Sequence, residues 1–172
     1  MRIFSASASQ SGENWLSYEG TRARCALGKG GVIAARDKRE GDGASPIGIW
    51  PIRHVLWRSD RGRAPDTSLP VAEIAPDDGW CDTPDDPNYN QLIKHPYPVS
   101  AEHLWREDGL YDIIVVLGHN DDPVVPSMGS AIFLHCATPD YKPTEGCVAL
   151  AKADLLAVLK VAQTGDCIEI RA

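Results

Sequence analysis

The sequence predicts a mainly β fold with a few helices, and three observations support this. Apolar runs of strand length recur along the chain, without the strand–helix alternation that builds a doubly wound sheet. Fifteen glycines and 13 prolines separate these short runs. One clear helical pattern occurs, near the end of the chain. Because 172 residues with 43% apolar and 24% charged side chains suit one globular unit, we predict a single domain over residues 1–172.

The first half of the chain predicts short strands followed by a long irregular segment. Residues 24–27 and 31–35 are typical of two strands around a glycine-rich turn. Residues 47–57 are rich in β-branched and aromatic side chains, and Pro51 among them predicts an edge position, a bulge or a break. Residues 59–90 hold five prolines and seven aspartates without periodicity. They predict an irregular insertion, in which Trp80 and Tyr89 form either a small satellite core or a lid.

The second half predicts further strands and the main helix. Ser100 is placed to cap a short helix that ends near Arg106. Apolar residues at helical spacing predict a helix over 154–162, which Gly165 ends. Three apolar runs predict strands: residues 112–117, 131–136 and 167–170.

Charge and cysteine content exclude several classes of function. Seventeen Lys and Arg against 24 Asp and Glu give a net charge of −7, which argues against nucleic acid or an anionic membrane surface as a partner. No run approaches the about 20 apolar residues of a membrane span, and the N-terminus lacks the apolar core of a signal peptide. We therefore expect a cytoplasmic protein, or a periplasmic one if a leader has been removed. Five irregularly spaced cysteines without a Cys-x-x-Cys pair predict reduced thiols, no metal site and no cofactor.

One segment has the residue types of a nucleophilic site. His135 ends a predicted strand, and Cys147 follows twelve residues later, directly after Gly146. A cysteine nucleophile needs a nearby base and backbone N–H donors for the developing oxyanion. The Gly146 and Cys147 amides can converge in the tight turn that glycine permits. The pattern is equally compatible with a buried structural cysteine beside a histidine at a strand end.

Several ordered motifs resemble the L,D-transpeptidase catalytic domain of the YkuD type. They are His135 with Thr144-Glu145-Gly146-Cys147, the upstream run Ser45 to Trp50, and Gly129 to Ile132 before the histidine strand. The resemblance implies a β-sandwich of mixed sheets with one helix following the nucleophile loop. It also implies that Cys147 is the nucleophile, that His135 is the base, and that the backbone carbonyl of Cys136 orients the imidazole.

Within this family, Lys38 to Gly43 and Glu145 to Leu150 are similar to a branch of cytoplasmic L,D-carboxypeptidases. That resemblance implies removal of the terminal D-alanine from murein tetrapeptides during peptidoglycan recycling. Two alternatives stay open: an L,D-transpeptidase that forms cross-links through a cysteinyl thioester, and a catalytically silent module that binds peptidoglycan peptides. Glu145 and Ala149 replace the usual His and Arg of the loop. We expect the Glu145 carboxylate to oppose thiolate formation and the loop to lack the cation that its usual Arg supplies.

The implied substrate, a murein tetrapeptide, contains meso-diaminopimelate, whose far centre carries an amine and a carboxylate. Glu145 is the candidate for binding the ammonium, and Arg39, Lys142 and His119 are candidates for the carboxylate. Thr144 and Asn120 complete the predicted substrate-binding set, because polar residues at strand ends and in loops often line a site. For each charged candidate the alternative is a solvated surface residue.

Overall fold

The computed structural model describes all residues 1–172 and contains thirteen strands and one α-helix. The strands are β1 Ile3–Ser7, β2 Asn14–Tyr18, β3 Thr21–Ala26, β4 Val32–Ala34, β5 Ser45–Trp57, β6 Val71–Glu73, β7 Asp78–Cys81, β8 Leu92–Lys94, β9 Ala101–His103, β10 Ile113–Leu117, β11 Phe133–Cys136, β12 Val148–Leu150 and β13 Cys167–Arg171. The helix α1 spans Lys152–Val161, and a single 3₁₀ turn covers Ala35–Asp37. The mainly β prediction is confirmed, as is a helix that follows the Cys147 loop.

Eight strands close into a ring in the order β10-β11-β12-β3-β2-β1-β13-β5, since β5 also pairs with β10. The pairing is mixed. β1 with β13 and β11 with β12 are parallel, whereas the other neighbours in the ring are antiparallel. The short strands β4 and β6 add in parallel to β5. None of the helices has the length and apolar character needed to span a membrane.

Pro51 marks the point where the long strand β5 changes partner. Residues 48–51 pair with β13, and residues 52–57 pair with β10. The register against β10 shifts between Val116 and Leu117, which is a bulge. A proline, which has no N–H to give to a ladder, is accommodated at such a change of partner. Of the three predicted outcomes at Pro51, the chain adopts a bulge nearby and no break.

A second, three-stranded antiparallel sheet has the order β8-β7-β9. Two strands, β6 and β7, occur within the 59–90 segment that was expected to be irregular. The helix predicted from Ser100 to Arg106 is wrong, because residues 101–103 form β9 and pair with β7. A capping residue favours a helix only locally, and pairing with a neighbouring strand satisfies the same backbone groups.

Two apolar clusters lie on opposite faces of β10, β11 and β12. The inner cluster includes Leu134 and Cys136 of β11 together with the buried face of α1. The outer cluster includes Phe133 of β11, Cys147 and residues of the small sheet and its loops, among them Trp80. Successive side chains of a strand alternate between faces. One face of β11 therefore belongs to the core, and the other lies beneath the small sheet.

Candidate functional site

The parallel pairing of β11 with β12 brings His135 and Cys147 to one face. His135 is in register with Ala149, and Cys147 precedes Ala149 by two residues. Residues two apart on an extended chain point to the same side, so the thiol and the imidazole both face outward. Both side chains line one cavity of about 590 Å³, which we call the Cys–His cavity.

The loop that carries the thiol, Thr144–Cys147, is tied to a neighbouring segment of backbone. The Thr144 amide donates to the Leu27 carbonyl (2.9 Å), and the Lys29 amide donates to the Thr144 carbonyl (2.7 Å). Within the loop, the Thr144 hydroxyl donates to the Cys147 carbonyl at 2.7 Å. These contacts hold Cys147 at the point where the loop enters β12. The backbone before the nucleophile is therefore fixed from two sides.

Both the backbone conformation and the close approach of Ala44 require a glycine at position 146. Its φ is +134°, and a Cβ at this position would lie 2.9 Å from the Ala44 carbonyl oxygen. The Gly146 amide donates to the Thr144 hydroxyl at 3.1 Å. The Cys147 amide has no acceptor within the protein. Of the two predicted oxyanion donors, only the Cys147 N–H is thus free, and the Gly146 N–H must first leave Thr144.

His135 is held as a neutral, oriented imidazole. It is 5% exposed, and its ring packs edge-on against Tyr111 with centroids 5.2 Å apart. Nδ1 lies 2.8 Å from the Cys136 carbonyl oxygen, which can only accept, so Nδ1 carries the proton. Burial lowers the pKa of His135 to about 4. Nε2 is therefore unprotonated at neutral pH and can act as a base.

The Cys147 thiol is also neutral at rest. Its Sγ donates to the Ala131 carbonyl (3.1 Å) and accepts from the Phe133 amide (3.4 Å). Burial, with a smaller contribution from the charge of Glu102, raises its pKa to about 12. The resting pair is thus thiol and imidazole, and the proton must move as the sulfur attacks. Catalytic hydrogen bonds of this kind often form only when substrate binds.

The carboxylate that opposes thiolate formation is Glu102, which corrects the expectation placed on Glu145. Glu145 is 75% exposed and pairs with the Lys29 ammonium at 2.8 Å. Glu102 lines the same cavity on β9 and accepts a hydrogen bond from the Tyr111 hydroxyl at 2.5 Å. A charge at the solvent surface is screened, whereas one in a cavity acts more strongly.

The site contains cations although Ala149 replaces the usual Arg of the loop, and one of them is the predicted Lys142. Lys38, Arg106 and Lys142 all line the Cys–His cavity, as do Thr144 and Glu145. The Lys38 ammonium is buried and pairs with the Asp42 carboxylate. Arg106 pairs with Asp108 and lies 3.8 Å from Glu102. The cations thus come from other elements than the nucleophile loop.

Three residues predicted to bind substrate do not line the cavity. His119 is buried and packs edge-on against Trp50, with ring centroids 4.7 Å apart. The Asn120 amide donates to the carbonyls of Val125 and Gly129, both at 2.9 Å. The Arg39 guanidinium donates to the Arg36 and Lys38 carbonyls. The Asn120 and Arg39 side chains thus hold loops, whereas the His119 imidazole is buried with no hydrogen-bond partner for its Nδ1.

Asn90, the last residue of the 59–90 segment, positions the backbone beside the thiol. Its Oδ1 accepts from the Ala131 amide (3.0 Å) and the Trp80 indole (2.9 Å). Its Nδ2 donates to the His119 and Asn120 carbonyls. Ala131, whose carbonyl accepts from the thiol, has a φ of +52°. The buried amide of Asn90 therefore stabilises the strained backbone of Ala131 beside the thiol.

Trp80 and Tyr89 are buried rather than placed over the cavity. Trp80 packs edge-on against Phe133 in the outer cluster, with ring centroids 5.0 Å apart. The Tyr89 hydroxyl donates to the Glu40 carboxylate at 2.5 Å. The satellite core is thus the correct one of the two predicted alternatives, and the lid is not observed.

Comparison with known proteins shows which protein family the chain matches. The family model of the L,D-transpeptidase catalytic domain, YkuD, matches residues 12–170. No curated protein sequence matches the chain significantly. The similar solved structures include L,D-transpeptidase 1 of Mycobacterium tuberculosis (15% identity, TM-score 0.41, 99% of this chain and 62% of that one), an L,D-transpeptidase from Mycobacterium smegmatis (12%, 0.45, 99% and 58%) and L,D-transpeptidase 3 of Mycobacterium tuberculosis in complex with a faropenem-derived adduct (13%, 0.46, 99% and 60%). The chain therefore spans 58–62% of the length of these proteins.

Proposed function

The chain belongs to the L,D-transpeptidase catalytic domain family, and from this premise we propose that it is a cysteine-dependent L,D-carboxypeptidase. Its substrate is a murein tetrapeptide, from which it removes the terminal D-alanine. The family is one of cysteine enzymes that transfer acyl groups of peptidoglycan peptides. One observation carries the proposal. Cys147 and His135, from separate stretches of chain, share one strand face and open into one cavity.

Acylation begins with the two neutral groups. The Cys147 thiol turns from the Ala131 carbonyl, and its proton passes to Nε2 of His135 as Sγ attacks the carbonyl at the L-centre of diaminopimelate. The carbon–oxygen π electrons move to the oxygen, and the free Cys147 amide donates to this oxyanion. Removing one such donor typically slows a reaction by about 100- to 1,000-fold. The Cys136 carbonyl keeps Nδ1–H in place, so that the imidazolium forms in the correct orientation.

The second half of the reaction releases both products. The oxyanion collapses, the bond to D-alanine breaks, and the amine leaves with the proton from Nε2. Water then loses a proton to His135 and attacks the thioester. The carbon–sulfur bond breaks, the sulfur regains the proton, and the tripeptide leaves with a new carboxylate. The same imidazole thus acts as base and then as acid in each half.

The charges around the cavity support a zwitterionic substrate. The acidic lining residues are Glu40, Asp82, Glu102 and Glu145, and the basic ones are Lys38, Arg106 and Lys142. The far end of diaminopimelate carries an ammonium and a carboxylate, which need partners of both signs. We assign the ammonium to the Glu145 side of the cavity and the carboxylate to Lys142 or Arg106. Amidation of that carboxylate should raise KM; unchanged kinetics would contradict the assignment.

Access to the thiol favours water over a second peptide as the acyl acceptor. Cys147 is only 7% exposed. The two next cavities, of about 610 and 260 Å³, are lined by neither Cys147 nor His135. Water needs no binding groove of its own to reach a thioester, whereas an amine on another stem peptide does. The proposal includes a cytoplasmic location, where peptides of peptidoglycan recycling would be hydrolysed.

Two alternatives each have one observation in their favour. The family match supports an L,D-transpeptidase, and the strongly raised pKa of Cys147 supports a silent peptide-binding module. Incubation with a disaccharide tetrapeptide, followed by mass spectrometry, separates all three. We expect the loss of one alanine with the wild type and none with Cys147→Ala. A cross-linked dimer would establish the transpeptidase, and an unchanged substrate would establish the binding module.

A further inference from the structure

A second cavity, separate from the Cys–His cavity, lies against one face of α1. It measures about 610 Å³ and is bounded by residues 57–66, the beginning of β10 and the helix. We call it the cationic cavity. It shares no lining residue with the Cys–His cavity, and the proposed reaction does not use it.

The lining of this cavity has a charge opposite to that of the whole molecule. The chain carries a net charge of −7, yet five cations and only two acids line the cavity. The cations are Arg58, Arg61, Arg63, Lys152 and Lys160, and the acids are Asp66 and Asp112. Three of these cations already have carboxylate partners, because Asp60 and Glu107 pair with Arg58 and Arg61, and Asp112 pairs with Lys152. The two cations without a partner, Arg63 and Lys160, are the ones that can attract an anionic ligand.

Two of the cations are free to bind. Lys152, Leu156 and Lys160 are four residues apart and so lie along one face of α1. Lys152 is paired with Asp112 at 2.9 Å. Lys160 and Arg63 are in no ion pair or side-chain hydrogen bond. A ligand can engage both without breaking a contact that the protein already has.

Arg58 is the fixed part of the site. Its side chain is 1% exposed and pairs with Asp60 at 2.7 Å. It also donates to the Arg106 carbonyl at 2.6 Å, and its guanidinium lies 3.5 Å from the ring centroid of Trp105. Since all three nitrogens of this guanidinium already donate to Asp60 and to the Arg106 carbonyl, Arg58 fixes the wall of the cavity and is not itself a ligand-binding cation.

The remaining wall is partly apolar and has polar atoms without partners. Trp57, Pro65 and Leu156 supply apolar surface. The indole nitrogen of Trp57 and Oδ1 of Asp112 are buried without a hydrogen-bond partner. A bare inorganic anion would leave the apolar part of the wall unused. A ligand with a charged end and a ring or sugar fits the wall better.

We propose that the cationic cavity binds an organic phosphate, with the phosphate between Arg63 and Lys160 and the organic part against Trp57 and Leu156. Phosphate groups carry enough negative charge to occupy several cations at once, and arginine is well suited to bind them. The site is independent of Cys147. It would remain even if the proposed hydrolysis were wrong.

Calorimetric titration of the full chain tests the site with three probes: uridine diphosphate, inorganic pyrophosphate and uridine. We expect the diphosphate to bind more tightly than pyrophosphate, and uridine to bind much more weakly than either. Arg63→Ala with Lys160→Ala should weaken diphosphate binding about tenfold or more. The control pair is Arg22→Ala with Arg36→Ala, which removes the same charge from exposed positions outside both cavities.

The possible failures are distinct. Absence of binding, or equal binding of uridine and its diphosphate, would overturn the proposal. So would a control pair that weakens binding as much as the cavity pair, because the attraction would then reflect net charge alone. Cys147→Ala should bind the diphosphate as the wild type does. The titration therefore separates a failure of this site from a failure of the proposed enzyme activity.

Discussion

The two faces of β11 serve different purposes within four residues. Leu134 and Cys136 point into the inner cluster, where they pack against β12 and α1. Phe133 and His135 point to the opposite face, towards Tyr111 and the Cys–His cavity. A strand buried on both faces thus supports a core on one side and presents a base on the other. The alternation of side chains alone separates stability from chemistry here.

Cys136 and Cys147 show the same contrast between the two faces of the sheet. Burial raises the pKa of Cys136 to about 11 and that of Cys147 to about 12, so neither burial nor acidity marks the nucleophile. What differs is the face: the Cys136 side chain belongs to the inner cluster, and Cys147 belongs to the outer one. A reactive thiol in this fold is therefore identified by which cluster it joins.

Removal of each thiol should give the largest difference in activity between the two faces of β11. Cys147→Ala removes the sulfur that forms the acyl intermediate, and we expect turnover to fall by about 10³-fold or more. Cys136→Ala should retain most of its activity, because only its backbone carbonyl contacts His135. Release of D-alanine from a tetrapeptide, with circular dichroism to confirm folding, measures both. Comparable losses in the two variants would refute the assignment of faces.

The base should be recognisable from its pH dependence. His135 must be neutral to accept the proton, and its pKa is lowered to about 4 by burial. The acid side of the kcat/KM profile should therefore fall near pH 4 to 5 rather than near the ordinary value of about 6.5. His135→Gln should lose about 10²- to 10⁴-fold in kcat/KM. An acid limb at pH 6.5 in the wild type would show that the imidazole is more exposed than the structure has it.

A change on the inner face should affect stability and leave the chemistry alone. Leu134, which lies between Phe133 and His135 in the sequence, has a fully buried side chain. Leu134→Ala should lower the free energy of unfolding by about 3 kcal/mol, through lost burial and the cavity that remains. Urea denaturation measures this loss, and activity per folded molecule should change little. A large loss of kcat in fully folded protein would mean that the two faces are coupled.

The smallest expected effect distinguishes two carboxylates on the outer side. Glu102 is among the causes of the raised pKa of Cys147, and the exposed Glu145 is not. Glu102→Gln should speed alkylation of Cys147 by iodoacetamide at pH 8 by about threefold, because removal of the negative charge favours the thiolate. Glu145→Gln should leave the rate unchanged. If Glu145→Gln gave the larger increase, the original expectation from the sequence would be restored.

Much of the fold follows from local pattern. The apolar runs that became β10, β11 and β13 and the helical spacing that became α1 were all readable, since each depends on neighbours in sequence. The helix expected after Ser100 failed because β9 exists only by pairing with β7, some twenty residues away. Closure of the ring by β5 was likewise invisible, because it depends on two different partners along one strand.

The candidate site divides in the same way. His135, Cys147 and Gly146 form a motif with fixed spacing, and the structure brings the first two to one cavity. The roles of Glu102 and Asn90 were not predicted, because they depend on contacts with Tyr111 and Ala131 that no spacing records. His119 and Arg39 were chosen as available charges, but Arg39 is engaged by its own loop and His119 is buried against Trp50. Motifs therefore located the proposed reacting atoms, and only coordinates located the groups around them.

The register of β11 against β12 means that the direction of the Cys147 side chain depends on whether the number of residues between Cys147 and the paired Ala149 is odd or even. One residue inserted between Cys147 and Val148 would rotate the thiol to the core side while both strands kept their hydrogen bonds. Two inserted residues would restore its direction, displaced along the sheet. Short insertions or deletions at this junction can therefore remove the thiol from the Cys–His cavity without unfolding the protein. Whether the number of inserted residues is odd or even is thus a simple criterion for distinguishing relatives that keep the site from those that have lost it.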